Sequence, residues 1–232
     1  MIVRGACAAA LLTIACEANA GRPLTVEDAA VVEDQGCQVE SWVDRSEHTT
    51  TAWVVPACNF FWNTEVQAGF AWTHDIGTRF SDAYIQGKTL FRDSTPESPW
   101  SFATVVGAIR RTANLEYRGY DNPYVIAVVT VGITDAPMLV HANIGYSHDP
   151  ETSIDATLWG IAAEAPVSAR IAVMGEAFGD NGRRRYWRLG TRWSAIRDRL
   201  DVDLSYIARP GGGIAERFIS LGVTWQSGKL RP

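Results

Sequence analysis

Strict alternation over segments of about ten residues is the feature that most limits what this chain can become. In residues 185–195, Trp187, Leu189, Thr191, Trp193 and Ala195 share one parity, while Tyr186, Arg188, Gly190 and Arg192 share the other. Residues 199–209 set Leu200, Val202, Leu204 and Tyr206 against Asp201, Asp203 and Ser205. Residues 216–226 set Ile219, Leu221, Val223 and Trp225 against Ser220, Gly222 and Thr224. Residues 63–73 set Val66, Ala68, Phe70 and Trp72 against Glu65, Gln67 and Gly69. A period of two sends successive side chains to opposite faces of a strand, so each strand meets two different environments. Strands are expected near 37–45, 50–58, 63–73, 83–93, 99–110, 122–133, 137–148, 153–165, 168–178, 184–195, 199–209 and 216–226. Turn chemistry lies between them, as at Ala165-Pro166, Gly179-Asp180-Asn181-Gly182 and Pro210-Gly211-Gly212-Gly213.

Two closures of such a sheet compete. A soluble sandwich or lipocalin-like barrel buries the apolar parity, whereas a membrane barrel turns it to lipid. Strand length favours lipid, because a spanning strand needs about 9–11 residues and soluble strands average about 5–6. Loop parity agrees: Thr134-Asp135-Ala136-Pro137 and Ala165-Pro166 are tight and fall on the periplasmic side, while residues 73–82 and 111–121 are expected as long polar loops outside. After residue 20 no uncharged stretch reaches about 18 residues, so no spanning helix is available. The fold expected is all-β: a closed antiparallel up-and-down membrane β-barrel of about 12 strands. Trp72, Trp187, Trp193 and Trp225 then point to lipid, and Trp42 and Trp53, on the parity of Glu40 and Asp44, point to the lumen.

The N-terminus carries an address. Arg4 precedes an uncharged run from residue 5 to 16, and Ala18-Asn19-Ala20 supplies a small-x-small site ahead of Gly21-Arg22-Pro23. These are the parts of a secretory signal peptide, with cleavage expected after Ala20; lipidation at Cys16 is the rival. The domain reading is 1–20 signal peptide, 21–36 polar lead-in, 37–226 barrel and 227–232 C-terminal tail. Cleavage leaves Cys37 and Cys58, an even pair in an oxidising compartment, which reads as one disulfide. Register arithmetic supports it. Cys37 with Cys58 and Trp42 with Trp53 give the same sum of positions, as residues paired across one hairpin must. By the same arithmetic Glu164 and Arg170 would face each other across a turn centred on Val167.

Composition removes several function classes. The chain has 232 residues, 47% of them hydrophobic, and a net charge of -5, so it is neither disordered nor a basic nucleic-acid binder. His48, His74 and His148 fit no metal-ligand spacing, and His141-Ala142-Asn143 lacks a nearby Ser nucleophile. No cofactor, metal site or catalytic residue is assigned. The polar parity supplies candidate lumen-lining residues: Glu65, Gln67, Glu176, Arg188, Arg192, Asp201 and Asp203. Together they either line a narrow aqueous path or form a salt-linked plug.

The segment Gly21-Arg22-Pro23-Leu24-Thr25-Val26-Glu27-Asp28-Ala29, followed by Gly36-Cys37-Gln38-Val39-Glu40, resembles the start of outer-membrane proteins of the MetA-pathway phenol-degradation family and its small proteobacterial relatives. The resemblance implies a Gram-negative outer-membrane β-barrel that takes up small organic solutes. It also implies outer-membrane lipid and the barrel insertion machinery as partners. Outer-membrane strands commonly end on an aromatic residue, and here Trp225 is followed by seven more residues. The leading functional expectation is an outer-membrane barrel serving as a narrow channel or uptake protein. A soluble periplasmic binding protein is the alternative, and an outer-membrane hydrolase the third.

Overall fold

The computed structural model describes residues 22–111, 122–133, 136–150, 153–182 and 185–229. The expected signal peptide, Cys16, and most of the expected loop 111–121 lie outside the described residues. Twelve strands run in chain order: β1 (Gly36–Arg45), β2 (Thr49–Phe61), β3 (Thr64–Asp75), β4 (Thr78–Arg92), β5 (Trp100–Arg111), β6 (Asn122–Ile133), β7 (Met138–Asp149), β8 (Ile154–Ser168), β9 (Ile171–Asp180), β10 (Arg185–Ile196), β11 (Leu200–Ala208) and β12 (Arg217–Lys229). Each pairs antiparallel with its chain neighbours, and β1 pairs with β12, so the sheet closes on itself. Closure pairs the backbone groups of every strand and leaves no free edge.

The two parities separate as the alternation requires. On adjacent strands Leu204 pairs with Leu221, Tyr206 with Ile219 and Val202 with Val223. Leu204, Leu221 and Ile219 are exposed to the outside at 50%, 57% and 58%. A continuous apolar exterior of this kind is stable only against acyl chains. Trp193 and Trp225 ring the end that carries the first and last strand residues, and Trp72 and Tyr206 ring the far end. Amphipathic rings at two levels are what two membrane interfaces select. Inside, Trp42 stacks on Trp53 at 5.4 Å; on the opposite, outward parity of the same two strands Cys37 is bonded to Cys58, and both pairs keep the one register, Cys37↔Cys58 and Trp42↔Trp53.

Four expectations need correction. Residues 73–82 are not a long loop: β3 runs to Asp75, β4 starts at Thr78, and Ile76-Gly77 is the whole turn. Both turn residues have positive φ (27° and 82°), the two-residue geometry that matches strand twist and that Gly77 adopts at little cost. Polarity alone hid this, since residues 78–82 pair fully with β3. Conversely, residues 93–99 form a longer connection at the end where tight turns are expected. Glu164 does not face Arg170. It pairs with Met174, because β8 continues through the expected turn residues Ala165-Pro166 to Ser168 and turns at Ala169-Arg170. Residues 227–229 are not tail: β12 continues to Lys229, Gly36 pairs with Lys229, and Ser227 Oγ accepts the Cys37 N–H at 3.0 Å.

The feature that positions the site is the lead-in. Residues 22–35 do not hang below the barrel; they fold up into it. Ala29 is fully buried with Ala103, Val105 and Val128 in a cluster flanked by Leu90, Tyr124 and Ile126. Glycines on the inward parity make room for the segment. A Cβ on Gly160 would meet Val26 Cγ2 at 2.6 Å, and one on Gly222 would strike the Asp203 carboxylate and the Arg22 guanidinium.

Candidate functional site

The lumen is built from inward side chains of nearly every strand, and most of its acceptors are used by the lead-in. Arg22 lies deepest. Its Nη2 donates to Asp203 Oδ1 at 3.1 Å and to Ser220 Oγ at 2.6 Å, and its guanidinium carbon sits 4.2 Å above the Trp42 ring. Its backbone N–H donates to Glu40 Oε1 at 3.3 Å, and its carbonyl accepts Arg192 Nη1 at 3.3 Å. Thus one residue joins β1, β10, β11 and β12.

Further along, Glu176 accepts the Thr25 N–H on both oxygens (2.9 and 2.8 Å) and the Val26 N–H at 2.8 Å, while Arg188 Nε stands 3.3 Å from its Oε1. Asn143 exchanges two bonds with the Glu27 backbone, at 2.7 and 2.8 Å. The Glu27 carboxylate accepts Lys88 Nζ at 3.4 Å and Gln86 Nε2 at 3.2 Å, and Asp28 lies 3.9 Å from the same ammonium. The Thr130 hydroxyl accepts the Ala29 N–H at 2.9 Å and is hydrogen-bonded to His141 Nδ1, also 2.9 Å away. Glu65 Oε2 accepts the Val32 N–H at 2.8 Å, and Asn59 Nδ2 donates to the Val32 carbonyl at 2.7 Å. An irregular segment away from water must have its backbone satisfied, and here the wall side chains do it.

Of the sequence-derived candidates, Glu65, Glu176, Arg192 and Asp203 touch the lead-in directly. Arg188 acts through Glu176. Arg192 also pairs with Glu164 at 3.0 Å, with Asp201 at 4.0 Å on its other side. Gln67 accepts the Tyr84 hydroxyl at 3.0 Å and lines a side cavity rather than the lead-in. Sequence reasoning missed Lys88, Asn143, Thr130 and Ser220 as lumen groups. It also missed that Arg22, Glu27 and Asp28 are their partners. The only available signal was the excess of carboxylates on the inward parity.

Two spaces remain. A cavity of about 640 Å³ opens toward the far end, with Thr25 and Val26 as its floor and Tyr124, Leu158, Phe178 and Tyr186 among its walls. The Phe178 and Tyr186 rings stack at 5.8 Å. A smaller cavity of about 300 Å³ lies beside Arg22, against Trp42, Trp53 and Tyr84. Among the described residues no group of three or more His, Cys, Asp or Glu is arranged to hold a metal ion. His148, on the exterior, bonds Asp155 at 2.8 Å, and Tyr146 donates to the same carboxylate at 2.6 Å.

The model of one protein family, described as "Uncharacterised conserved protein UCP029691", matches residues 7–226. No curated protein matches the sequence. Among solved structures, the KdgM porin superposes with a TM-score of 0.60 at 7% identity, over 81% of this chain and 98% of that one. The NanC porin gives 0.59 at 7% identity, over 82% and 98%. The outer-membrane protein Omp33 of Acinetobacter baumannii gives 0.50 at 10% identity, over 83% and 98%. The likeness is one of fold: the small, porin-like, outer-membrane β-barrel.

Proposed function

The chain belongs to that conserved family, and on this premise we propose that it is an outer-membrane barrel passing small organic solutes through a narrow lumen that its own N-terminal segment restricts. The observation that carries this reading is the inversion of a soluble protein: an apolar exterior around an axis of charged and amide side chains. Charged side chains within a membrane-spanning structure pair with one another or border a water-filled path, and here they do the first while two cavities border them. Cleavage after Ala20 and folding by the barrel insertion machinery belong to the same reading. So does an orientation that puts the Cys37–Cys58 end at the periplasm. The aromatic walls of the far-end cavity, Tyr124, Phe178 and Tyr186, suit solutes with a flat apolar face.

A hydrolase is disfavoured by the use already made of His141. It is buried at 1% exposure, shares a hydrogen bond with the Thr130 hydroxyl through Nδ1, and has Glu164 at 4.0 Å from Nε2. Among the described residues no serine or cysteine is seen bonded to it, so the described wall offers an acyl transfer no starting point there. We read His141 as part of the wall and the chain as a non-enzyme.

Conductance tests the proposal. Purified, heat-modifiable protein in planar bilayers is expected to give small unitary currents, rising when the lead-in is loosened by Glu65→Ala. Folded barrel with no current in either form overturns the channel. Recovery of the protein from the soluble periplasm without detergent overturns the membrane location as well.

A further inference from the structure

The seat that holds Arg22 has a chemistry of its own. Asp203 is 2% exposed and Ser220 fully buried, and both point their oxygens at one guanidinium nitrogen. Trp42 closes the flat face at 4.2 Å, and the Glu40 carboxylate stands at the backbone side of the same residue. A buried carboxylate, a hydroxyl and an indole face are the elements that recognise a planar cation. The fixed cations around it are already engaged, Arg188 with Glu176 and Arg192 with Glu164. Arg22 is not part of the barrel wall; it belongs to the lead-in, which reaches the seat from Gly36. If that segment shifts, Asp203 loses the guanidinium it is paired with inside a closed lumen, and an uncompensated buried charge strongly favours a replacement cation. The cavity beside the seat, bounded by Trp42, Trp53 and Tyr84, has room for the ring or chain carrying such a group.

We propose that Asp203, Ser220, Trp42 and Glu40 form a binding site for a flat organic cation, an amidinium or guanidinium, and that Arg22 occupies it as an internal competitor. The lumen then selects positively charged solutes, and a solute enters by displacing the chain's own arginine. This rests on the reading of the lumen as a solute path and names the solute class for it.

Benzamidine is a suitable probe, because its amidinium matches the guanidinium fork and its ring fits the side cavity; benzamide is the neutral isostere. Calorimetric titration of the full chain in detergent compares wild type, R22A and R22A combined with D203N. R22A is expected to bind benzamidine at least about tenfold more tightly than wild type, and adding D203N is expected to abolish that gain. Benzamide should not bind. Equal affinity in wild type and R22A, or equal binding of benzamide and benzamidine, overturns the site. Where R22A does not fold, Arg22→Gln keeps an amide toward Ser220 and is read by the same outcomes. Bilayer current is recorded on the same variant. Binding without current breaks the channel reading and leaves the cation site standing, whereas current with no binding or block by benzamidine breaks the site.

Discussion

The two sides of the lumen hold the same segment by different means. Around Ala29 the wall of β5 and β6 is mainly apolar: Ala103, Val105 and Val128 pack on the lead-in as a small protein core would, with Thr130 accepting the Ala29 N–H. Around Arg22 the wall of β1 and β9 through β12 is ionic, with Asp203, Glu176, Arg188 and Arg192 in direct or relayed contact. Apolar packing is non-directional and tolerates small shifts, whereas a buried ion pair is favourable only when every partner is present. The apolar side therefore anchors the segment and the ionic side decides whether it is seated. A barrel of this width can thus be filled without being welded shut.

The strongest way to break the comparison is Glu176→Ala. It strands Arg188 and orphans the Thr25 and Val26 N–H groups, so a loss of about 3–5 kcal/mol is expected. The denaturant midpoint should fall and protease should cut within residues 22–35. Glu176→Gln should recover part of the loss, because an amide oxygen still accepts the two N–H groups; a full loss in the Gln variant would mean that charge alone matters.

Next is a control on the outside. Leu221→Arg places a charge among exposed Leu204, Ile219 and Val223, with an expected cost of about 2–4 kcal/mol in lipid. Refolding into bilayers measures it, and the lead-in should remain protected from protease in whatever fraction folds.

On the apolar side, Ala29→Leu overpacks a fully buried position at an expected cost of about 1–3 kcal/mol. Here the barrel should keep its heat-modifiable mobility while protease sensitivity of the segment rises. Loss of the barrel itself would show that the Ala29 cluster supports the wall and not only the lead-in.

The smallest effect belongs to the exterior. Asp155→Asn removes the exposed contacts to His148 and Tyr146, and neither stability nor current should change measurably. A clear change in current would move attention from the axis to the far rim.

The barrel was legible because alternation is local. Glu65 or Leu189 declares its face through its immediate neighbours, and a sheet with one apolar and one polar face has few ways to close. Cys37 with Cys58 and Trp42 with Trp53 were legible for the same reason, since a hairpin register is arithmetic on nearby positions. The error at Glu164 came from reading Ala165-Pro166 as a turn, when β8 runs through both residues to Ser168 and turns at Ala169-Arg170. The error at residues 73–82 came from treating polar residues as loop, when polar residues at a barrel's end also serve as strand.

The amino-acid order by itself determined a closed sheet with lipid on one side and charge on the other. It also set which acidic and basic side chains would face inward. Only the tertiary structure decided who meets them. Arg22 and Asp203 are separated by 181 positions, and Glu176 is 151 from Thr25. No periodicity spans such distances. The inward carboxylates required partners; the closure of the barrel around the lead-in determined that the chain's own N-terminal segment supplies them.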